Sequence, residues 1–169
     1  MSAAPQTGDR TVNLTVGVSD AKVSRHSDDV LMTHALGSCI GVALFDPASG
    51  IAGMLHFQLP SSTADPAKGL ERPLMFADTG LRWLLEQMKS LGAENRRLKV
   101  HLAGGASMLN DTNLFDIGRR NHTAVRKLLY QQRLFITAEQ IGGTQPRTMI
   151  MNVGNGSVSL RSGGHTTAM

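Results

Sequence analysis

The chain predicts an α/β fold of the α+β type, with mixed β-sheets and two main helices on one side. Three observations carry this. Short strand patterns crowd the N-terminal third, two amphipathic stretches separated by one strand follow, and strands resume near the C-terminus. Thr11–Val18 (TVNLTVGV) alternates apolar and polar residues as a half-buried strand does, and Val30–Thr33 is a second short extended run. Cys39–Phe45 and Ile51–Leu59 then flank Asp46-Pro47-Ala48-Ser49-Gly50, where proline presets one turn dihedral and glycine admits a positive one. From Pro73 the period lengthens: Ala77, Leu81, Leu84, Met88 and Leu91 recur at helical spacing, Trp83 and Leu85 widen the stripe, and Gly92 ends it. Leu98–Ala103 is a strand running into Gly104-Gly105. A second helix over about Gly118–Gln132 buries Ala124, Val125, Leu128 and Leu129. Strands at Leu134–Ile141, Arg147–Val153 and Val158–Arg161 are parted by Gly142-Gly143 and by Gly154-Asn155-Gly156, the last a tight hairpin turn.

With 41% hydrophobic residues the 169-residue chain can bury one core without disulfides, so residues 11–161 are expected to form one domain. Residues 1–10 are expected to be a disordered N-terminus and 162–169 (SGGHTTAM) a flexible tail. A single cysteine favours a reducing compartment, and the first residues have neither the cationic segment nor the apolar run of a secretory signal. No stretch has the length of a membrane span, so a cytoplasmic protein without membrane insertion is expected. Seventeen basic against thirteen acidic residues leave +4, with clusters at Arg96-Arg97-Lys99, Arg119-Arg120 and Arg126-Lys127. Only 4% of residues are aromatic, which leaves few stacking platforms and argues against nucleic acid. A plain solvated surface is the simplest account of the clusters, and an acidic protein partner the next.

The hairpin register bears on function. If Pro47–Gly50 form a four-residue loop, Asp46 faces Ile51, Gly41 faces His56 and Cys39 faces Gln58. Pleating then gathers Cys39, Gly41, Ala43, Met54, His56 and Gln58 on one, less apolar face, and Ile40, Val42, Leu44, Leu55, Phe57 and Leu59 on a core face. Cys39 and His56 become diagonal neighbours.

A cysteine in an apolar strand is commonly an inert small residue. Here Leu36-Gly37-Ser38 makes a tight small-residue approach whose backbone N–H groups, near Ser38 and Cys39, suit a developing oxyanion. His56 is the base that would take the thiol proton, giving a thiolate–imidazolium pair. Thr33 is the neutral acceptor that would fix the ring's second nitrogen. Gln58 adds a polar, structural or substrate-facing group on the same face. His26, His34, His101, His122 and His165 show no metal-ligand spacing with one another or with Cys39, so neither a metal nor another cofactor is expected. Gly104-Gly105-Ala106-Ser107 lacks the spacing and lysine of a phosphate loop.

Five segments in order, Thr33–Gly41 (THALGSCIG), Met54–Pro60 (MLHFQLP), Gly104–Ala106, Ile117–Ala124 (IGRRNHTA) and Ala138–Arg147 (AEQIGGTQPR), together resemble the CheD family of chemoreceptor glutamine deamidases. The resemblance implies a three-layer α/β/β sandwich and a protein-glutamine glutaminase acting on chemoreceptor cytoplasmic helices, with Cys39, His56 and Thr33 at the catalytic positions. It also implies, as in some relatives, binding of a CheC-type phosphatase. Gln140 departs from the acid expected before Gly142-Gly143. In the implied reaction the thiolate attacks the carboxamide carbon, His56 protonates departing ammonia, and water activated by the same ring hydrolyses the thioester. The rival readings are a non-catalytic module that binds the phosphatase or receptor, and a redox-sensing thiol.

Overall fold

The computed structural model describes residues 11–107 and 116–169. The expected disordered segment 1–10 lies outside the described residues. Among the described residues ten strands form two five-stranded mixed sheets. The first has the order β1 (Val12–Val16), β3 (Asp29–Leu36), β8 (Arg147–Asn152), β9 (Val158–Ser162), β10 (His165–Ala168). The second runs β2 (Asp20–Ser24), β5 (Ile51–Phe57), β4 (Ile40–Asp46), β6 (Lys99–Gly104), β7 (Ile136–Ile141). Pairing is antiparallel except for β1 with β3 and β6 with β7, the latter joined through helix α3 (Ile117–Gln131).

The layers follow from which faces are apolar. Ile40, Val42, Leu44, Leu55 and Phe57 form one core with Leu81, Leu84 and Met88 of α2 (Ala77–Ser90) and Val125 and Leu129 of α3. Ala43, Phe45, Ala52 and Met54, from the opposite face of the same hairpin, form a second core with Leu31, Met149, Met151 and Leu160 of the first sheet. The result is helices on sheet on sheet, the three-layer α/β/β sandwich. Every residue of β4 and β5 is buried, so the hairpin is the middle of the molecule. The less apolar face is therefore a core face as well, tiled with small residues so that a second sheet can approach it.

The expected hairpin register is present: Asp46 pairs with Ile51 and Gly41 with His56. Its turn is held by Gly50 N–H donating to Asp46 O (2.8 Å), with Gly50 at φ 69°. Asp46, fully buried, also takes three hydrogen bonds from the Arg97 guanidinium and one each from the Ala48 and Glu94 amides. Cys39 and Gln58 do not extend the ladder, which ends at Ile40–Phe57. Gln58 instead donates its N–H to Met75 O.

Some expectations fail for identifiable reasons. The expected 162–169 tail contains β10, which pairs back on β9 from His165–Ser162 to Ala168–Ser159. Gly163 and Gly164 both have positive φ, as a two-residue hairpin turn of the I′ kind requires, and the strand reads as polar because it is an exposed edge. The Thr11–Val18 run breaks at Gly17, and Asp20–Ser24 crosses to the second sheet as β2. Leu91 caps α2 and is exposed rather than buried. A short helix α1 (Pro66–Glu71) was signalled by Asp65-Pro66, an N-cap side chain followed by an N1 proline. Among the described residues no helix is long and apolar enough to cross a membrane.

Candidate active site

Thr33 and His56 come from different sheets and meet between them. Thr33, on β3, and His56, on β5, are both fully buried, with Thr33 Oγ1 2.7 Å from His56 Nδ1. The same hydroxyl donates to Val16 O at 2.7 Å. A threonine hydroxyl has one proton, so with that proton on Val16 the oxygen accepts from His56 Nδ1–H. This sets the tautomer: Nδ1 carries the proton and Nε2 keeps its lone pair. Nε2 is buried with no hydrogen-bond partner among the described residues. A buried nitrogen acceptor left open in this way has a lone pair that can accept a proton.

Cys39 lies in the bend between β3 and β4, half-buried against the inter-sheet core, two residues before Gly41, the partner of His56. Cys39 stands just beyond the ladder and packs on the inter-sheet core, the side on which His56 meets Thr33, and its sulfur makes no hydrogen bond with His56 Nε2. The approach to the bend is irregular. The β3–β8 register shifts between Thr33 and Leu36, and Ala35 adopts φ 56°, a left-handed conformation that disfavours a residue with a Cβ.

The segments that carry none of the three candidate catalytic residues converge on the carbonyls of this bend. Ala106 N–H donates to Gly37 O (2.8 Å), Gly105 N–H to Cys39 O (2.9 Å), and the Asn121 side-chain amide to Ser38 O (3.0 Å). The same Asn121 nitrogen donates to Gln58 O (2.8 Å), so one side chain ties the bend to the chain just beyond His56. Arg147 in turn holds Gly104 O and Gly142 O. Glycine is required at two of these positions. A Cβ at Gly104 (φ 114°) would fall on Cys39 O, and one at Gly118 would lie 2.6 Å from Gly105 O, separating α3 from the bend. With the carbonyls turned into the clamp, the Ser38 and Cys39 N–H groups make no hydrogen bond to another described backbone group. Asn121→Ala would leave two carbonyls without their donor, an expected loss of about 2–4 kcal/mol. Thermal denaturation should register it as a fall in Tm of roughly 10 °C.

Burial shapes the electrostatics. It pushes the Cys39 thiol above its ordinary value of 9.0, against a small opposing effect of its own backbone amide. It pushes the His56 imidazole down from 6.5 to about 4, with the Asp20 carboxylate opposing weakly. Asp20 faces His56 across the β2–β5 ladder. Burial raises its own pKa, but Lys22 and the Gly17 and Ala21 amides outweigh this and hold it below the usual carboxylate value. Both shifts favour the neutral forms of the thiol and the imidazole. The thiolate–imidazolium pair expected from sequence is disfavoured because neither charge has enough solvent or partners. The measurable consequence is the alkylation profile of Cys39 with iodoacetamide. The rate should be slow at pH 7 and climb through pH 9, whereas a resting ion pair would give a plateau across neutral pH.

Ser38 stands in the bend, and its carbonyl is occupied by Asn121. The Gln58 carboxamide oxygen accepts from Ser19 Oγ (2.7 Å), which ties that side chain to the β1–β2 turn. Asn121 and Asp20 were not singled out from sequence. Asn121 had a signal: it is the polar member of the buried stripe Gly118, Asn121, Val125, Leu129.

Fold and site together define an α/β/β sandwich whose lone thiol and hydroxyl-held imidazole both lie on the inter-sheet side. The chain belongs to the CheD family. The family model described as CheD chemotactic sensory transduction matches residues 58–162, which include Gly104, Asn121 and Arg147, while Thr33, Cys39 and His56 precede the matched span. A Solibacter usitatus protein named probable chemoreceptor glutamine deamidase CheD is 49% identical over 88% of this chain and 88% of its own length. A Syntrophus aciditrophicus protein, probable chemoreceptor glutamine deamidase CheD 1, is 42% identical over 88% of this chain and 93% of its own. Among solved structures, Neisseria meningitidis protein NMB0706 aligns at a TM-score of 0.41 with 10% identity, over 76% of this chain and 62% of that one.

Proposed function

We propose that this protein is a cysteine-dependent deamidase that hydrolyses glutamine side chains of chemoreceptors to glutamate and ammonia, in the cytoplasm and without a cofactor. The observation that carries the chemistry is the buried His56, held by Thr33 in the tautomer whose open Nε2 is a base. The substrate class rests on relatives at 49% and 42% identity that are named chemoreceptor glutamine deamidases.

The steps follow from the neutral resting pair. As Cys39 Sγ attacks the carboxamide carbon, its proton passes to His56 Nε2, and the imidazolium positive charge appears only alongside the oxyanion. The Ser38 and Cys39 N–H groups donate to that oxyanion. His56 returns the proton to the amide nitrogen, the C–N bond breaks, and ammonia leaves a thioester on Cys39. Water then gives its proton to His56 and its oxygen to the carbonyl carbon, releasing glutamate and restoring the thiol. Thr33 accepts from Nδ1–H throughout, and the oxyanion that forms together with the imidazolium balances the ring's charge in place of a carboxylate. Gln58 faces the substrate through its free amide nitrogen.

The test is mass spectrometry of a chemoreceptor cytoplasmic fragment incubated with the protein, which should gain about one dalton at each converted glutamine. An unchanged fragment mass over long incubation would overturn the reading. Association with a CheC-type phosphatase belongs to the same proposal, and co-elution of the two purified proteins is its check.

A further inference from the structure

α2 and α3 cover the same face of the second sheet, yet their charges differ. α2 carries Asp78 and Glu86 against Arg82 and Lys89, so it is balanced. α3 carries Arg119, Arg120, Arg126 and Lys127 and no acid. All four are exposed. Glu139 of β7 takes Arg126 (3.1 Å) and His122 (2.8 Å), while Arg119, Arg120 and Lys127 make no ion pair among the described residues. At its far end α3 gives way to an exposed apolar pair. Tyr130, the chain's one tyrosine, and Phe135 are each 80% exposed. Hollows of 480 and 470 Å³ lined by Tyr130, Leu134 and Phe135 flank them, rimmed by Arg126, Lys127 and Arg133.

The near end of α3 is at the candidate site, since Gly118 abuts Gly105 and Asn121 holds the Ser38 carbonyl. A fifteen-residue helix is about 22 Å long. The stretch of α3 from Arg119 to Tyr130, beginning near the Cys39 bend and ending on two aromatics, is about 16 Å long and matches about three turns of an acidic helix with an apolar anchor. The proposed reaction supplies the acid, because every glutamine converted becomes a carboxylate. We infer that the outward face of α3, from Arg119 to Tyr130 with Phe135, docks an acidic helical segment of the receptor substrate. This rests on the deamidase reading for the identity of the occupant. It has a directional consequence: a receptor bearing glutamates at its modified positions binds this face more tightly than one bearing glutamines.

Fluorescence anisotropy of a labelled receptor cytoplasmic fragment titrated with Cys39→Ala protein tests the surface without turnover. In that background Arg119→Glu with Lys127→Glu, and separately Tyr130→Ser with Phe135→Ser, should each raise Kd about tenfold. Arg82→Glu with Lys89→Glu on α2 should change Kd by less than about twofold, since those cations sit among acids. Raising salt from about 50 to 300 mM should weaken the parent strongly and the α3 charge-reversed protein little. An unchanged Kd in the α3 variants, or an equal loss in the α2 variant, overturns the inference. Failure of the deamidase reading would show separately, as no mass gain with wild-type protein.

Discussion

Deamidation of a receptor fragment is expected to cease in the Cys39→Ala protein, falling by at least about a thousandfold to the uncatalysed background, with the fold retained. No other thiol exists in the chain to substitute for it. The structural penalty is small, because Cys39 is half-buried at the margin of the inter-sheet core and its thiol makes no hydrogen bond to another described residue. Its removal is expected to cost about 1 kcal/mol or less, so Tm should move by only a few degrees. Cys39→Ser should be nearly as inactive. A hydroxyl is far harder to deprotonate than a thiol, and the base opposite it has been lowered to about 4 by burial. Serine enzymes typically orient their histidine with a carboxylate, whereas here the orienting group is a neutral threonine hydroxyl. The mass gain at receptor glutamines, followed over time for the three proteins, decides this. Full activity in Cys39→Ala would remove the thiol from the chemistry. Retained activity in Cys39→Ser would exclude both the thioester route and a redox role for that sulfur.

Much of this site was legible because it depends on local rules. The Asp46–Gly50 turn sets a loop length, the loop length sets the register, and the register pairs Gly41 with His56, with Cys39 just beyond the end of the ladder. That both faces of the hairpin are buried was not legible. Gly41, Ala43 and Met54 look like a weakly apolar exterior until β3 and β8, distant in sequence, are laid against them. The clamp on the Cys39 bend was hidden for the same reason. Asn121 reaches partners 83 and 63 residues away, and nothing in its own neighbourhood names Ser38 or Gln58. The helices were read incompletely, since the short α1 is announced by its cap and first-turn proline rather than by periodicity. The 162–169 segment was read as a flexible tail, because the polar strand after Gly163-Gly164 has no hydrophobic face to advertise it.

Thr33→Val is expected to lower kcat by about 100- to 1,000-fold while leaving the shape of the inter-sheet core nearly unchanged. Valine fills the same volume but neither donates to Val16 O nor accepts from His56 Nδ1–H, so two buried polar groups lose their partner and the tautomer is no longer fixed. Thr33→Ser, which keeps the hydroxyl, should recover most of the rate, and that rescue separates orientation of the ring from packing. Because Thr33 acts only through His56, adding Thr33→Val to His56→Gln should cost little further activity. The pH dependence of stability gives an independent check. The imidazole has a folded pKa of about 4 against an ordinary 6.5, so above pH 6.5 it is neutral in both states and its burial carries no proton penalty. As pH falls from 6.5 towards 4, the unfolded chain binds a proton that the folded one refuses, and stability drops by roughly 3 kcal/mol over that window. Below the folded value the loss levels off. His101, also lowered by burial and by Lys99, adds a loss of the same sign, so the His56 share is the difference between wild type and His56→Gln. Urea denaturation at a series of pH values should show a shallower acid slope in His56→Gln. In Thr33→Val the slope should extend to lower pH, because an imidazolium without an acceptor at Nδ1 is still less favoured. Equal slopes in all three proteins would mean that His56 is not buried as a neutral ring, and the base at the centre of the proposed reaction would be lost with it.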